Sequence, residues 1–295
     1  MPRRSAAPEV DDEDDDFELD AEAVEKALTD VEDLPGDWQD FVLGRIEAGK
    51  VAARRKSDED RKTLDEVFDK NTLLILFKFI SNGYIETLDY PISTGKEGNV
   101  FHATTPQGES VAVKIYRTNT ATFRSFMTYI EGDPRFGHVK PNRRDIVYVW
   151  AQKEYKNLQR YFEAGVRVPN PIAWRQNVLI MEFIGRDRTP APRLRDVPFA
   201  SAEEGYETVC AQYRLGADAG GLIHGDFSEF NILNVDDEPV VIDVAQSVLS
   251  RHPMARDLIV RDAKNLAAYF RRQGLKRVTA EETLNRIRPP QGEAA

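Results

Sequence analysis

Residues 224–233 read His-Gly-Asp-Phe-Ser-Glu-Phe-Asn-Ile-Leu, and residues 241–243 read Val-Ile-Asp. Together they supply an aspartate (Asp226), an asparagine five positions later (Asn231) and a second aspartate (Asp243) that ends an apolar run. In kinase-like enzymes these residue types orient a hydroxyl and hold magnesium. An Asx-rich turn before a hairpin would explain Asp226 alone. The complete spacing predicts a phosphoryl-transfer site.

The two stretches are expected to meet at one end of a β-hairpin. Apolar runs at 232–235 and 239–242 flank three acidic residues. This pattern predicts a three-residue loop in which residue 235 pairs with residue 239. Continuing the count sets Asn231 opposite Asp243. An amide oxygen and a carboxylate would then converge, as a magnesium ion that keeps several waters requires.

A candidate phosphate-covering loop lies upstream. Residues 92–101 read Ile-Ser-Thr-Gly-Lys-Glu-Gly-Asn-Val-Phe between two strand-like runs. Glycine and hydroxyl residues let backbone amides approach phosphates, which makes Ser93, Thr94 and Lys96 candidate nucleotide-binding residues. Ordinary turns have a similar composition. Because the loop lacks the three-glycine pattern of ordinary protein kinases, we expect a different grip on phosphate.

A strand lysine and a helical glutamate form the next candidate pair. Residues 111–115, Val-Ala-Val-Lys-Ile, place Lys114 among apolar residues. Alone, this is typical of an edge-strand lysine whose charged end reaches solvent. Within residues 147–162 apolar side chains recur at helical spacing, and Glu154 borders that apolar face. A solvated helix could also carry such a glutamate, but Glu154 is the best candidate partner for Lys114.

Five motifs, in order, extend the pattern through most of the chain. They are Ser-Thr-Gly-Lys-Glu-Gly-Asn-Val-Phe (93–101), Val-Ala-Val-Lys-Ile-Tyr-Arg (111–117), Gly-Asp-Pro-Arg-Phe (132–136), Lys-Glu-Tyr-Lys-Asn-Leu (153–158) and Met-Glu-Phe-Ile-Gly (181–185). Over roughly residues 70–275 the chain resembles the RIO atypical serine/threonine kinases. The loop and the Gly-Asp-Pro-Arg-Phe motif favour the type 1 branch, whereas Gly-Asp-Phe at 225–227 is the form more usual in type 2.

The resemblance implies a two-lobed, kinase-like α+β fold with a small β-rich N-lobe and a reduced helical C-lobe. It implies ATP and magnesium as cofactors. By similarity Asp226 is the catalytic base, Asn231 and Asp243 are magnesium ligands, and Lys114 meets the nucleotide phosphates. The family is also associated with ATP hydrolysis, an aspartyl-phosphate on the metal-binding aspartate, and maturation of the small ribosomal subunit. Pre-small-subunit ribosomes and ribosomal RNA are therefore expected partners.

The resemblance also implies an adenine site at the interlobe hinge, formed by the backbones of Glu182 and Ile184. The residues agree with a hinge at this place. Residues 178–181 form a buried-strand run that ends before Gly185, where a proline-rich and charged linker begins.

Two alternative functions share parts of this pattern. A small-molecule kinase of the aminoglycoside or choline type has the same aspartate-to-asparagine spacing, but needs a larger acceptor lobe than residues 244–295 are expected to form. A ribosome-binding scaffold whose shape is fixed by nucleotide is the non-enzyme alternative. The complete set of Lys114, Asp226, Asn231 and Asp243 argues against it. Since no Ala-Pro-Glu motif follows Asp243, we expect water or the enzyme itself to be a phosphoryl acceptor.

Charge is distributed unevenly along the chain. The net charge is −10, but residues 1–40 hold 16 acidic and 3 basic residues, so the remainder carries +3. We expect a disordered acidic leader. From residue 251 onward ten bases outnumber five acids, a surface that could contact RNA or be an ordinary solvated helix face. Arginine outnumbers lysine 27 to 13, which together with the leader favours a salt-loving archaeal source.

The organisation predicted from these features has five parts: the leader (1–36), a helical extension (37–83), the kinase N-lobe (84–184), the kinase C-lobe (185–288) and a tail (289–295). Within the N-lobe, residues 117–146, here called the insert, are expected to form a mobile, functional loop. One cysteine excludes an intramolecular disulfide, and there is neither a signal-like segment nor an apolar run of membrane length. These features predict a cytoplasmic protein of unknown oligomeric state.

Overall fold

The computed structural model describes residues 37–52, 68–118, 123–137 and 142–288. The predicted acidic leader and tail lie outside the described residues, as does part of the helical extension. Within that extension, α1 (Trp38–Ala52) and α2 (Lys70–Ser81) are helical, as expected. Asp69 caps α2, because its Oδ1 accepts a 2.8 Å hydrogen bond from the Thr72 amide.

The β-rich part is a five-stranded antiparallel sheet. Its strands are β1 (Thr87–Thr94), β2 (Gly98–Thr104), β3 (Ser110–Tyr116), β4 (Pro171–Arg175) and β5 (Val178–Glu182), in the order β1-β2-β3-β5-β4. Central position explains the apolar sequence of β3, whose residues 111–116 are all buried. Lys114 therefore enters the protein interior from a rigid strand. After β5, a small hairpin of β6 (Gly185–Arg186) and β7 (Thr189–Pro190) forms the start of the linker.

The insert contains regular structure. Residues 119–122 and 138–141 lie outside the described residues, but between them Phe123–Ile130 form helix α3 and Pro134–Phe136 form a short 3-10 turn. Phe126 of α3 stacks on Trp150, with ring centroids 4.3 Å apart, and both side chains are buried. The prediction of a loop is wrong for this part, because its apolar residues pack against the long helix α4 (Arg143–Glu163).

The C-lobe is built on α5 (Ala202–Asp218), α6 (Ala255–Arg272) and α7 (Ala280–Ile287), with the strand pairs β8 (Leu222–Ile223) and β11 (Val248–Leu249), and β9 (Ile232–Val235) and β10 (Glu238–Val241). Leu258, Leu266 and Phe270 of α6 are buried core residues. Cys210 is also a buried free cysteine. Among the described helices, none has the length and apolar character that a membrane span requires.

The register of the β9–β10 hairpin differs from the prediction by one residue. Val235 pairs with Glu238, and the amide of Ile242 donates to the Asn231 carbonyl at 3.0 Å. Asn231 therefore lies opposite Ile242 instead of Asp243. The loop has two residues, Asp236 and Asp237, and both adopt a positive φ, 53° and 70°. A two-residue turn of this kind matches the twist of the strands better than the expected three-residue loop.

Candidate active site

Lys114, Glu154 and Asp243 form an ion-pair cluster at the centre of the described structure. The Lys114 Nζ atom lies 2.7 Å from Glu154 Oε1 and 2.9 Å from Asp243 Oδ1. The predicted pairing of Lys114 with Glu154 is thus confirmed. The three side chains come from three separate elements. Lys114 lies on strand β3, Glu154 lies on helix α4, and Asp243 follows the β9–β10 hairpin.

Burial differs across this cluster and sets its electrostatics. Burial lowers the pKa of Lys114, but the carboxylates of Asp243 and Glu154 outweigh it and raise the pKa above its usual range. The charge of Lys114 lowers the pKa of Asp243. The Asp243 side chain is 50 % exposed, whereas that of Glu154 is 1 % exposed. Lys114 stays charged at neutral pH, and Asp243 presents an ionised carboxylate to the open side of the site.

Asp226 and Asn231 form the second half of the site. The Asn231 Nδ2 atom donates to the Asp226 carbonyl at 2.9 Å and to Asp226 Oδ2 at 3.0 Å. The amide nitrogen is therefore held by Asp226, and the amide oxygen Oδ1 is the atom left for a cation. Burial raises the pKa of Asp226, partly offset by His224 and by the Asn231 hydrogen bond. A raised pKa makes this carboxylate a stronger proton acceptor than an ordinary aspartate.

The backbone at Asp243 is strained. Its φ of 60° places a non-glycine residue in the left-handed region, two residues after the end of β10. Such a conformation costs on the order of 1–3 kcal/mol and persists where the surroundings enforce it. At Asp243 it turns the chain after β10, where the carboxylate pairs with Lys114.

The predicted phosphate loop is the tip of the β1–β2 hairpin. Thr94 and Lys96 are exposed at this tip, and the Gly95 amide donates to the Gly98 carbonyl at 3.0 Å. A side chain at Gly98 would place a Cβ 2.4 Å from the Ile115 carbonyl, so only glycine permits this close approach to the lysine strand. Ser93 differs from its neighbours, because its Oγ accepts a 3.2 Å hydrogen bond from Arg193.

The predicted hinge follows β5. The Glu182 amide donates to the Asn170 carbonyl at 2.8 Å, and the Ile184 carbonyl accepts from the Ala191 amide at 2.9 Å. The backbones of Glu182 and Ile184 remain the predicted contacts of an adenine. The Glu182 carboxylate forms a two-point ion pair with Arg167, at 2.6 and 2.7 Å. Because Arg167 occupies this side chain, we assign it no direct contact with a nucleotide.

Asp262 is a site residue that the sequence analysis missed. Its Oδ2 accepts from the Gly225 amide at 2.7 Å and its Oδ1 from the Phe227 amide at 2.9 Å, so this buried carboxylate holds the backbone on both sides of Asp226. A signal was present in the sequence. Asp262 lies four residues from both Leu258 and Leu266, which places an acidic residue on the core face of α6.

Glu97 is a second residue that was missed. It follows Lys96 in the phosphate loop, and its pKa is raised by burial and by the carboxylates of Asp243 and Asp226, with Lys114 opposing. The loop thus brings a fourth acidic side chain, after Glu154, Asp226 and Asp243, towards the site. Burial of a side chain at a hairpin tip depends on the opposite lobe, so composition alone gave no indication of it.

Comparison with known proteins places this geometry in a family. Residues 99–283 match the family model described as the RIO domain. The chain is 41% identical over 249 residues to a protein of Haloferax volcanii named RIO-type serine/threonine-protein kinase Rio1, covering 81% of this chain and 86% of that one. It is 38% identical over 255 residues to the protein of the same name from Methanocaldococcus jannaschii, covering 86% and 87% of the two chains. The human serine/threonine-protein kinase RIO1 is 40% identical, and the match covers 80% of this chain and 42% of the human one.

Solved structures share the fold. The Rio2 kinase from Chaetomium thermophilum aligns with a TM-score of 0.57 and 23% identity, over 75% of this chain and 70% of that chain. A structure of the same kinase described as an ADP/Mg2+-phosphoaspartate complex also has a TM-score of 0.57, with 20% identity over 86% and 87% of the two chains. The predicted two-lobed, kinase-like α+β fold is confirmed by these similarities.

Proposed function

Because the chain belongs to the RIO family of serine/threonine protein kinases, we propose that it uses magnesium and ATP to move the γ-phosphoryl group. The observation that carries this proposal is the position of Lys114 between Glu154 and Asp243, at 2.7 and 2.9 Å. A fixed lysine beside an ionised carboxylate is the arrangement that kinases use to hold phosphates and metal. Relatives named as protein kinases favour this function over a small-molecule kinase.

The oxygen donors of the site fit a magnesium ion. Asn231 offers its Oδ1, and Asp243 offers a half-exposed carboxylate. Within the described part of the chain, no group of three acidic, histidine or cysteine residues could hold a metal alone. Water and phosphate oxygens would complete the coordination, as magnesium prefers. When bound, the ion would neutralise charge on the phosphates.

Each remaining candidate has a role consistent with its position. Asp226, held by Asn231, orients the water used in hydrolysis and accepts its proton. Lys114 binds the phosphates, and Glu154 fixes the lysine. Adenine meets the backbones of Glu182 and Ile184. Ser93, Thr94 and Lys96 cover the phosphates from the β1–β2 hairpin, which positions the nucleotide between the two lobes.

The first acceptor in this proposal is Asp243 itself. Its carboxylate oxygen attacks the γ-phosphorus while the bond to the ADP oxygen breaks, and water then cleaves the acyl phosphate. The low pKa of Asp243 beside Lys114 keeps the carboxylate ionised for attack. The phosphoaspartate complex described for the Chaetomium kinase supports this chemistry.

The biological setting that we propose is an ATP-driven switch in maturation of the small ribosomal subunit, in the cytoplasm. Forming and losing an acyl phosphate changes local charge, which can alter affinity for a large partner. Basic residues of the C-lobe, among them Arg256 and Arg271 of α6, are exposed and could contact ribosomal RNA phosphates. The resemblance to the family supports this setting.

One experiment separates the possible acceptors. Purified protein is incubated with γ-labelled ATP and magnesium, with and without small ribosomal subunits. Free phosphate, labelled enzyme and labelled ribosomal proteins are then separated. We expect magnesium-dependent phosphate release and labelled enzyme from the wild type, and neither from Asp243→Ala. Equal phosphate release by both proteins would refute the proposed site.

A further inference from the structure

Helix α4 carries a polar stripe that the proposed reaction does not use. Lys153, Asn157 and Tyr161 follow one another at four-residue spacing and therefore share one face of the helix. All three side chains are buried. Glu154, which holds Lys114, is the neighbour of Lys153, so α4 contacts the site from two of its faces.

The stripe binds the backbone that directly follows Asp243. Lys153 Nζ donates to the carbonyls of Ala245, at 3.0 Å, and Ser247. Asn157 Nδ2 donates to the carbonyls of Val244, at 2.9 Å, and Ser247, at 3.1 Å. Three of the four carbonyls in residues 244–247 are thereby fixed by side chains of α4.

Tyr161 adds a weaker contact, from its hydroxyl to Ser247 Oγ at 3.2 Å. The polar stripe therefore contacts residues 244–247 from one end to the other, as expected of a support that sets the backbone path of these residues.

Burying the Lys153 side chain at this position costs free energy. Its side chain is 0 % exposed, and its Nζ donates to the backbone carbonyls of residues 245 and 247. An apolar side chain of similar size would fill such a place without the cost of burying a charge. Lysine adds the pair of bonds to the carbonyls of Ala245 and Ser247, which an apolar side chain cannot form, and its Nζ also lies 5.8 Å from the centroid of the Trp150 ring.

The insert reaches the same stripe. Arg135 Nη1 donates to Asn157 Oδ1 at 3.0 Å, while Nε and Nη2 of the same guanidinium bind Asp133 at 3.0 and 2.7 Å. Since Arg135 occupies the amide oxygen of Asn157, the amide nitrogen must face residues 244–247. The Gly-Asp-Pro-Arg-Phe motif thus fixes the orientation of Asn157.

We propose that Lys153 and Asn157 are positioning residues for Asp243, and that Arg135 of the insert holds Asn157 in the required orientation. The strained φ of 60° at Asp243 needs an external support, and the fixed carbonyls of residues 244–247 supply it on the C-terminal side. This inference deepens the proposed function and rests on it. Through Arg135 and Asn157, the insert then helps to hold the backbone that follows the predicted metal ligand Asp243.

The test measures the magnesium response of ATP turnover in Lys153→Met and Asn157→Leu. Both substitutions keep the approximate size of the side chain and remove the bonds to the carbonyls. We expect the magnesium concentration for half-maximal turnover to rise about 10-fold or more, the usual result of removing a group that orients a metal ligand. Nucleotide affinity measured in EDTA should change less than about 2-fold, because the phosphate loop and the hinge are not altered.

Val209→Ala is the matched control. It opens a small cavity in the hydrophobic core without removing a hydrogen bond to residues 244–247, and should lower the melting temperature without moving the magnesium response. If Lys153→Met and Asn157→Leu behave like this control, their role is merely structural and the inference is refuted. Arg135→Ala keeps the test decisive should the buried variants fail to fold, because Arg135 lies at the edge of the stripe. We expect a smaller shift in the same direction from it, and an unchanged response would also refute the inference.

Asp243→Ala, measured in the same series, distinguishes this inference from the proposed function. Turnover equal to that of the wild type in Asp243→Ala would refute the function itself. Loss of turnover in Asp243→Ala, together with wild-type magnesium responses in the Lys153, Asn157 and Arg135 variants, would refute the positioning role alone.

Discussion

The Nζ atom of Lys114 lies 2.9 Å from Oδ1 of Asp243, although 129 residues separate them in sequence. The same nitrogen lies 2.7 Å from Glu154, so one buried cation joins a strand, a helix and the end of a hairpin. Phosphates that enter the site would share this cation with the two carboxylates. The contact therefore links the packing of the lobes directly to the chemistry.

Asp243→Ala and Asp226→Ala should fail in different ways. We expect Asp243→Ala to weaken magnesium-dependent nucleotide binding as well as turnover, because the carboxylate that would hold the metal is lost. Asp226→Ala should keep nucleotide binding and lose turnover by about 10² to 10⁴, the usual contribution of a positioned base. Calorimetry with ADP and magnesium, alongside steady-state turnover, checks both. Similar binding losses in the two variants would contradict the assignment of separate roles.

Glu154→Gln should lower both activity and stability. Removing one partner of a buried ion pair usually costs about 3–5 kcal/mol, but Lys114 retains Asp243 as a second partner, so we expect a smaller loss. Lys114 should then move towards Asp243 and hold phosphate less well. Urea unfolding and turnover measure the two effects. Full activity in Glu154→Gln would show that the fixed lysine is unnecessary.

Label transferred from γ-labelled ATP should behave as an acyl phosphate. If Asp243 is the acceptor, hydroxylamine should release most of the label, whereas seryl phosphates resist this treatment. Asp243→Asn should carry little label. Label that survives hydroxylamine, or that persists in Asp243→Asn, would place the phosphoryl group on another residue and leave a kinase activity intact.

Asp89 should make the stability of the N-lobe depend on acid pH. Burial raises its pKa, but hydrogen bonds from His102, Thr87 and Thr104 and the charge of Arg188 outweigh it and lower the pKa to about 2. A lowered pKa in the folded state stabilises the protein above the ordinary value of 3.8, and this contribution is lost as the pH falls towards 2. The pKa difference corresponds to at most about 2 kcal/mol.

Asp89→Asn should accordingly be less stable than the wild type at pH 6, and the difference should shrink as the pH approaches 2. Urea unfolding at several pH values measures it. Asp196→Asn is the matched control, because that carboxylate is 48% exposed and, within the described ranges, pairs with its neighbour Arg195. A constant difference between Asp89→Asn and the wild type at all pH values would contradict the assigned cause.

Features set by local sequence were predicted well. The helical spacing around Glu154, the buried strand that carries Lys114 and the strand that ends at the hinge depend on side-chain periodicity over a few residues. The five-residue spacing of Asp226 and Asn231 also acts locally, since both lie in one short loop and contact each other at 3.0 Å. For these residues the order of polar and apolar side chains was sufficient.

The register of the β9–β10 hairpin could not be predicted from the order of polar and apolar side chains. Two acidic residues, Asp236 and Asp237, take positive φ values that other residue types favour more strongly. The choice between a two-residue and a three-residue loop depends on strand twist and on contacts such as that of the Ala200 amide with Asp237 Oδ1, at 2.8 Å. Because the loop is one residue shorter than predicted, the strand pairing shifts by one residue, and Asn231 lies opposite Ile242 instead of Asp243.

By itself the sequence determined which side chains are available for phosphoryl transfer and which elements carry them. Only the tertiary structure decided how they are held. Asp262 binds the loop around Asp226 from 35 residues away, and Lys153 and Asn157 bind residues 244–247 from about 90 residues away. The physical reason is that a buried polar group must find a partner wherever the fold brings one close, and periodicity along the chain does not encode that distance.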